Sequence, residues 1–223
     1  MATSEQLQFG VDGGREVSAL LLMPAKPRQM LVLAHGAGAG MNHPFMEKLA
    51  EELAAVNIAT FRYQFPYMQE KRRVPDAPGL LTATVASAVH KAIQVAPKLP
   101  VLAGGKSMGG RMTSQAAAQG QINDVKGLVF FGFPLHPPGR PGSKRAEHLA
   151  NVRVPMLFLQ GTRDTFADLK LLRPVCAQLG ARATLHVIET ADHSFHVLKS
   201  SKRSDAEVMR ELAETTAAWA EKL

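Results

Sequence analysis

The sequence predicts an α/β fold: a mainly parallel twisted sheet with helices on both faces, opened by an N-terminal antiparallel hairpin. Three observations predict it. Short continuous apolar runs such as Met30-Leu-Val-Leu-Ala34 and Val101-Leu102-Ala103 have the pattern of strands buried on both faces. These runs alternate with longer stretches of helical pattern, as in a parallel sheet covered on both sides. The chain has 223 residues, 46% hydrophobic and 20% charged, enough to bury a substantial core without staples. There is no internal repeat and no low-complexity linker, so residues 1–223 read as one domain.

Gln6 to Val11 and Glu16 to Met23 read as strands around the turn signal Asp12-Gly13-Gly14, with Pro24 ending the second. Met30 to Ala34 is the first fully buried strand. Pro44 to Ala55 follows as a helix, with Asn42 as its cap. Ile58 to Tyr63 is a strand and Gly79 to Ala96 a helix. Pro100 to Gly104 is a strand and Ser107 to Gln119 a helix. Gly127 to Phe131 is a strand, and an irregular Pro/Gly-rich stretch follows it. Met156 to Gln160 is a strand, Phe166 to Leu179 a helix, Ala183 to Glu189 a strand, and Ser204 to Lys222 the last helix. In such sheets ligands bind outside the carboxyl ends of the strands, so the loops there are where chemistry is expected.

Composition removes several function classes. Lys and Arg number 26 against 19 Asp and Glu, a net charge of +7. The excess is spread along the chain, and its densest clusters (Lys71-Arg72-Arg73, Lys144-Arg145, Lys202-Arg203) are small. That is the distribution of a basic soluble enzyme rather than of a nucleic-acid binder. The one cysteine, Cys176, excludes an intrachain disulfide and points to a reducing, cytoplasmic setting. No window approaches the ~20 apolar residues of a membrane span, and Met1 to Gly10 lacks the apolar segment of a secretory leader. No His-Glu-x-x-His motif or cysteine cluster suggests a metal, and no cofactor is expected. Oligomeric state stays open.

The strongest chemical signal is Gly105-Lys106-Ser107-Met108-Gly109, directly after an apolar strand. It matches the nucleophile elbow G-x-S-x-G, in which a serine sits on a sharp strand-to-helix turn too crowded for side chains at the flanking glycines. The phosphate-binding P-loop is excluded, because its first glycine would fall at Pro100. The second signal is His35-Gly36-Ala37-Gly38-Ala39-Gly40. A dinucleotide fingerprint fails here, since Met41 or His43 occupies its last glycine position. The loop instead suits an oxyanion hole, which needs two N–H donors on one oxygen. Those of Met108 and Ala37 are the natural pair, and His35 reads as a structural hydrogen-bonding residue.

An acid and a base complete the set. Asp164 lies one short turn after Met156 to Gln160, and His193 one short turn after Ala183 to Glu189. The order Ser107, Asp164, His193 is that of Ser-Asp-His hydrolases on α/β sheets. Asp168 competes from inside the next helix, Asp192 from beside the histidine, and His196 from three residues further on. For the pocket, geometry suggests Phe65, Tyr67 and Met68 in one loop and Phe133, Leu135 and His136 in another. Lys106 and Arg111 flank the nucleophile, and Cys176 and the methionines carry no catalytic signal.

On these residues the chain resembles the α/β-hydrolase superfamily over nearly its whole length. The segments AHGAGAGMNHPFM, FRYQFPYM, GGKSMGGRM, FPLHPPGRP and QGTRD resemble a small, nearly lidless, dienelactone-hydrolase-like subgroup. That subgroup is also related to a subunit of a eukaryotic histone-acetyltransferase complex. True dienelactone hydrolases use a cysteine nucleophile, where this chain has Ser107. The resemblance implies a serine hydrolase acting on a small ester or thioester through an acyl-enzyme, with a minimal cap and an open site. It also leaves a non-catalytic binding module, or haloperoxidase or acyltransfer chemistry on the same residues, as alternatives.

Overall fold

The computed structural model describes residues 2–223. Eight strands form one sheet: β1 (Thr3–Val11), β2 (Arg15–Met23), β3 (Gln29–Ala34), β4 (Ile58–Tyr63), β5 (Val101–Lys106), β6 (Leu128–Phe131), β7 (Met156–Gly161) and β8 (Ala183–Ile188). Their order is β1-β2-β4-β3-β5-β6-β7-β8. The pairs β1–β2 and β2–β4 are antiparallel, and every later pair is parallel. The hairpin begins at Thr3, three residues before the sequence reading, because the edge strand pairs as far as Thr3 with Met23.

Alternation along the central strands explains their continuous apolar character. Met30, Val32 and Ala34 of β3 join one core layer, and Leu31 and Leu33 join the other. The first layer is closed by α3 (Pro78–Val95), α4 (Met108–Ala118) and α5 (Leu169–Leu179), through residues such as Val85, Met112 and Leu172. The second is closed by α1 (Pro44–Ala55) and α6 (Asp205–Ala220), through Leu49, Leu53, Val208 and Leu212. The remaining helix, α2 (Pro66–Gln69), is a single turn after β4. Among the described residues no helix is long and apolar enough to cross a membrane. Between β6 and β7 the chain makes only a 3-10 turn, Lys144–Asn151.

Beyond one-residue shifts in where α3, α4 and α6 begin, two helix N-termini differ from expectation, one in its cap and one in its start. Helix α1 is capped by His43, not Asn42: the His43 ring nitrogen accepts the Phe45 N–H at 3.2 Å. Helix α5 begins at Leu169, not Phe166. The Asp164 carboxylate takes the Phe166 N–H at 2.7 Å, and Asp168 caps the helix from outside by accepting the Lys170 N–H at 2.8 Å. Asp168 is therefore a cap, and residues 166–168 belong to the loop that carries Asp164.

Candidate active site

Ser107 joins β5 to α4 with φ 50° and ψ −116°, a conformation a non-glycine residue adopts only when its surroundings impose it. The constraint is visible at Gly109, where a Cβ would lie 2.5 Å from the Ala34 carbonyl oxygen. Helix α4 thus runs against the end of β3, and its first turn points unpaired N–H groups at the carboxyl edge of the sheet.

His193 reaches Ser107 from the loop after β8, its Nε2 2.8 Å from Oγ. On the other side its Nδ1 lies 2.7 Å from Asp164 Oδ2. The Asp164 side chain is 1% exposed and that of His193 19%. The buried carboxylate is saturated with donors: it also accepts the Phe166 N–H and a short hydrogen bond from Gln160 Nε2. Gln160 in turn accepts the Phe133 N–H at 2.9 Å, tying the loops after β6 and β7 together. The Phe166 ring covers the imidazole, 4.3 Å between centroids. The structure therefore brings together three residues from separate loops in one hydrogen-bonded line.

The loop after β3 stands opposite, with Ala37 exposed at its tip. His35 beneath it is fully buried, and burial lowers its pKa to about 4, so it is neutral at pH 7. Its Nε2 accepts the Phe65 N–H at 3.2 Å, which leaves Nδ1–H to donate to the Gly36 carbonyl at 2.7 Å. The Tyr67 hydroxyl accepts the Gly38 N–H at 2.9 Å.

A cavity of about 620 Å³ opens over Ser107. Its walls include Phe45, Met46, Phe166, Phe195 and Met209, with Ala37, Lys106 and His193 among the lining residues. None of the six pocket residues expected from sequence lines it. Phe65, Tyr67, Phe133 and Leu135 are buried in the core, where Phe65 packs on His35 and Tyr63 and Phe133 on Phe130 and Phe158. His136 is buried as a brace, accepting the Asp168 N–H at 3.0 Å, and Met68 packs on the core beside Gly40. These loops turn inward because their aromatic and polar groups fix the backbone beneath the site. The actual wall comes from Phe45 at the start of α1, Phe166 two residues after Asp164 and Phe195 two residues after His193. Aromatic residues beside each chemical loop were the signal available in sequence.

The competing residues have other positions. His196 pairs with Asp205 at 2.6 Å on the exposed rim, which raises its pKa. Asp192 closes the His193 loop by accepting the N–H groups of Ser194 and His196 at 2.8 and 3.0 Å. Cys176 is buried in α5, away from the cavity lining, and burial pushes its thiol up to about 11. No group of three or more candidate metal ligands occurs among the described residues.

Residues 27–221 match the family described as alpha/beta hydrolase domain. The chain is 30% identical over 204 residues to a Mycobacterium tuberculosis protein that bears a provisional phosphoribosyl transferase name. That match covers 86% of this chain but only 42% of the mycobacterial protein, so the chain spans less than half of that relative. Among solved structures it is similar to a dienelactone hydrolase from Anabaena variabilis (TM-score 0.76, 21% identity, 96% of each chain). It is similar also to an a/b serine hydrolase without lid from Xanthomonas campestris (TM-score 0.77, 18% identity, 97% of this chain and 94% of that one). A third is a cold-adapted esterase from an Arctic intertidal metagenomic library (TM-score 0.67, 19% identity, 96% and 94%). At these identities the three likenesses concern the fold.

Proposed function

Since the chain belongs to the alpha/beta hydrolase domain family, we propose that it is a carboxylesterase-type serine hydrolase of a small ester or thioester. The observation that carries this reading is the Ser107–His193–Asp164 line, 2.8 and 2.7 Å, beneath an open apolar cavity. In the mechanism Ser107 Oγ attacks the acyl carbonyl while His193 Nε2 takes its proton. Asp164 holds the ring through Nδ1–H and stabilises the imidazolium. The carbonyl oxygen gains the negative charge and lies against the N–H groups of Met108 and Ala37, each worth about 3 kcal/mol in such sites. Collapse of the adduct breaks the bond to the leaving oxygen or sulfur, which receives the proton from His193. Water then adds to the acyl-enzyme, giving its proton to His193, and the acid departs as Ser107 recovers its own.

The apolar walls and modest cavity favour a compact acyl or aryl group. The phosphoribosyl transferase name belongs to a relative more than half of whose length lies outside the match; the reading for this chain rests on its own residues, acting as one domain in a reducing, cytoplasmic setting.

A fluorophosphonate probe tests the proposal, with the labelled residue mapped and Ser107→Ala as control. Labelling at Ser107 alone, with turnover of short-chain aryl esters lost in Ser107→Ala, is the expected result. A folded protein that neither labels nor turns over such esters overturns the reading.

A further inference from the structure

Lys106 is the residue immediately before the nucleophile, and it is buried at 9% exposure, without a carboxylate in salt-bridge contact. Its side chain contributes to the cavity lining beside Ser107. The Nζ stands 5.6 Å from the Phe45 ring centre and 5.4 Å from that of Phe195, and it donates a short hydrogen bond to the His193 carbonyl oxygen. Space for the head group is left by Gly132 after β6, which has φ +73°. A Cβ there would lie 3.1 Å from Lys106 Nζ, 3.4 Å from His193 Nδ1 and 3.5 Å from Asp164 Oδ2. Three functional atoms therefore converge on one bare Cα.

The start of the His193 loop is joined to the loop after β7: the Thr190 N–H donates to Thr162 Oγ1 at 2.8 Å and the Arg163 N–H to the Ala191 carbonyl at 2.9 Å. The Lys106 bond adds a tie at His193 itself. The His193 loop after β8 is irregular, with Thr190 and Phe195 both at positive φ (61° and 64°). The Asp192 side chain closes the turn on itself, but those bonds join the loop only to its own residues. Lys106 links the His193 backbone directly to the strand end that carries Ser107.

We infer that Lys106 is a positioning residue: its ammonium, held between Phe45 and Phe195 over Gly132, fixes the His193 backbone so that the imidazole lies between Ser107 and Asp164. This deepens the hydrolase reading above and rests on it for its kinetic consequence, but not for its structural one. The charged groups facing the ammonium are Asp164 and Asp192, with the His193 imidazole alongside. Burial lowers the Lys106 pKa to about 8, against the attraction of those two carboxylates. The charge-assisted bond to the carbonyl is thus strongest below about pH 8 and weakens above it.

Two readouts on Lys106→Met and Lys106→Arg test the inference, with folding checked by circular dichroism. The first needs no substrate: the low-field proton resonance of His193 Nδ1–H, hydrogen-bonded to Asp164. It is expected in the parent and in Lys106→Arg, and broadened or lost in Lys106→Met. An unchanged resonance in Lys106→Met overturns the inference, as does its absence from the parent. The second is hydrolysis of a matched pair of aryl esters, one neutral and one carrying a carboxylate. In Lys106→Met, kcat should fall about 10- to 100-fold for both, the scale set by small misplacements of a reacting group, with KM little changed. The fall of parent kcat above pH 8 should vanish in that variant. A rise in KM confined to the anionic ester overturns the inference and makes Lys106 a ligand of the substrate's charge. If Lys106→Met fails to fold, Lys106→Gln removes the same charge and donor reach. A parent protein that shows the resonance but never turns over ester leaves the positioning role standing and removes the hydrolase reading.

Discussion

His35 and His193 show how one residue type serves two ends. His35 is fully buried and neutral at pH 7, with Nε2 accepting from Phe65 and Nδ1–H donating to Gly36. Replacing it by alanine leaves a buried N–H and a buried carbonyl without partners, each worth about 1–3 kcal/mol. His35→Ala should therefore lower the urea midpoint by the equivalent of about 2–5 kcal/mol and slow Ser107 labelling as the loop loosens. His193 keeps one ring nitrogen on a buried carboxylate and the other on a hydroxyl at the cavity, the arrangement of a base. His193→Ala should cut ester turnover by about 10³- to 10⁴-fold with the fold intact. His196, bound to Asp205 on the rim, should tolerate alanine with a loss within a few fold. Steady-state kinetics on the two variants decides the assignment, and reversed effects would make His196 the base.

At the scale of elements, helix α6 is set by its N-terminus. The Ser204 hydroxyl accepts the Glu207 N–H at 3.2 Å while the Glu207 carboxylate accepts the Ser204 N–H at 2.6 Å, a complete capping box. Ser204→Ala should cost about 1 kcal/mol, read as a lower melting temperature. Ser107 labelling should change little, because neither Ser204 nor Glu207 lines the cavity and the apolar wall residue Met209 lies beyond the first turn. The extent of such elements was legible wherever periodicity was strong. Strands β3 to β8 follow from apolar runs whose alternate residues enter the two core layers, and α6 from its Ser-x-x-Glu start. The loops that carry Ser107, Asp164 and His193 were legible too, each a short turn past a strand. Phe166 to Asp168 was not, because the side chain of Asp164, two residues before Phe166, takes the Phe166 N–H at the point where a helix would have begun. The pocket was least legible. Phe65, Tyr67 and Phe133 sit in loops that open on the right edge, but sequence position does not say whether an aromatic side chain turns toward the cavity or the core. Here the answer depends on tertiary partners, Phe65 on His35 and Tyr67 on Gly38.

Across the whole molecule, buried titratable groups make stability rise with pH in two windows. Burial lowers His35 from 6.5 to about 4 and His148 likewise, so between those values the unfolded chain binds more protons than the folded one. Stability from these groups is complete above pH 6.5 and is lost as pH falls toward 4. Lys106 acts the same way higher up, lowered from 10.5 to about 8. Below pH 8 the protein carries the full cost of a buried cation, and the cost is relieved as pH rises toward 10.5. At 1.36 kcal/mol per unit that difference is about 3 kcal/mol. Tyr63 sets the upper limit: its buried phenol is held neutral, so above about pH 10 ionisation of the unfolded chain reverses the trend. Lys106→Met should thus unfold at higher urea than the parent at pH 7, by the equivalent of about 3 kcal/mol, and the gap should narrow at pH 9.5. Equal midpoints at pH 7 would mean that the ammonium is not paying a burial cost there. A variant that is more stable and yet slower is what a lysine retained for the geometry of His193 requires, since activity and stability then pull in opposite directions at one residue.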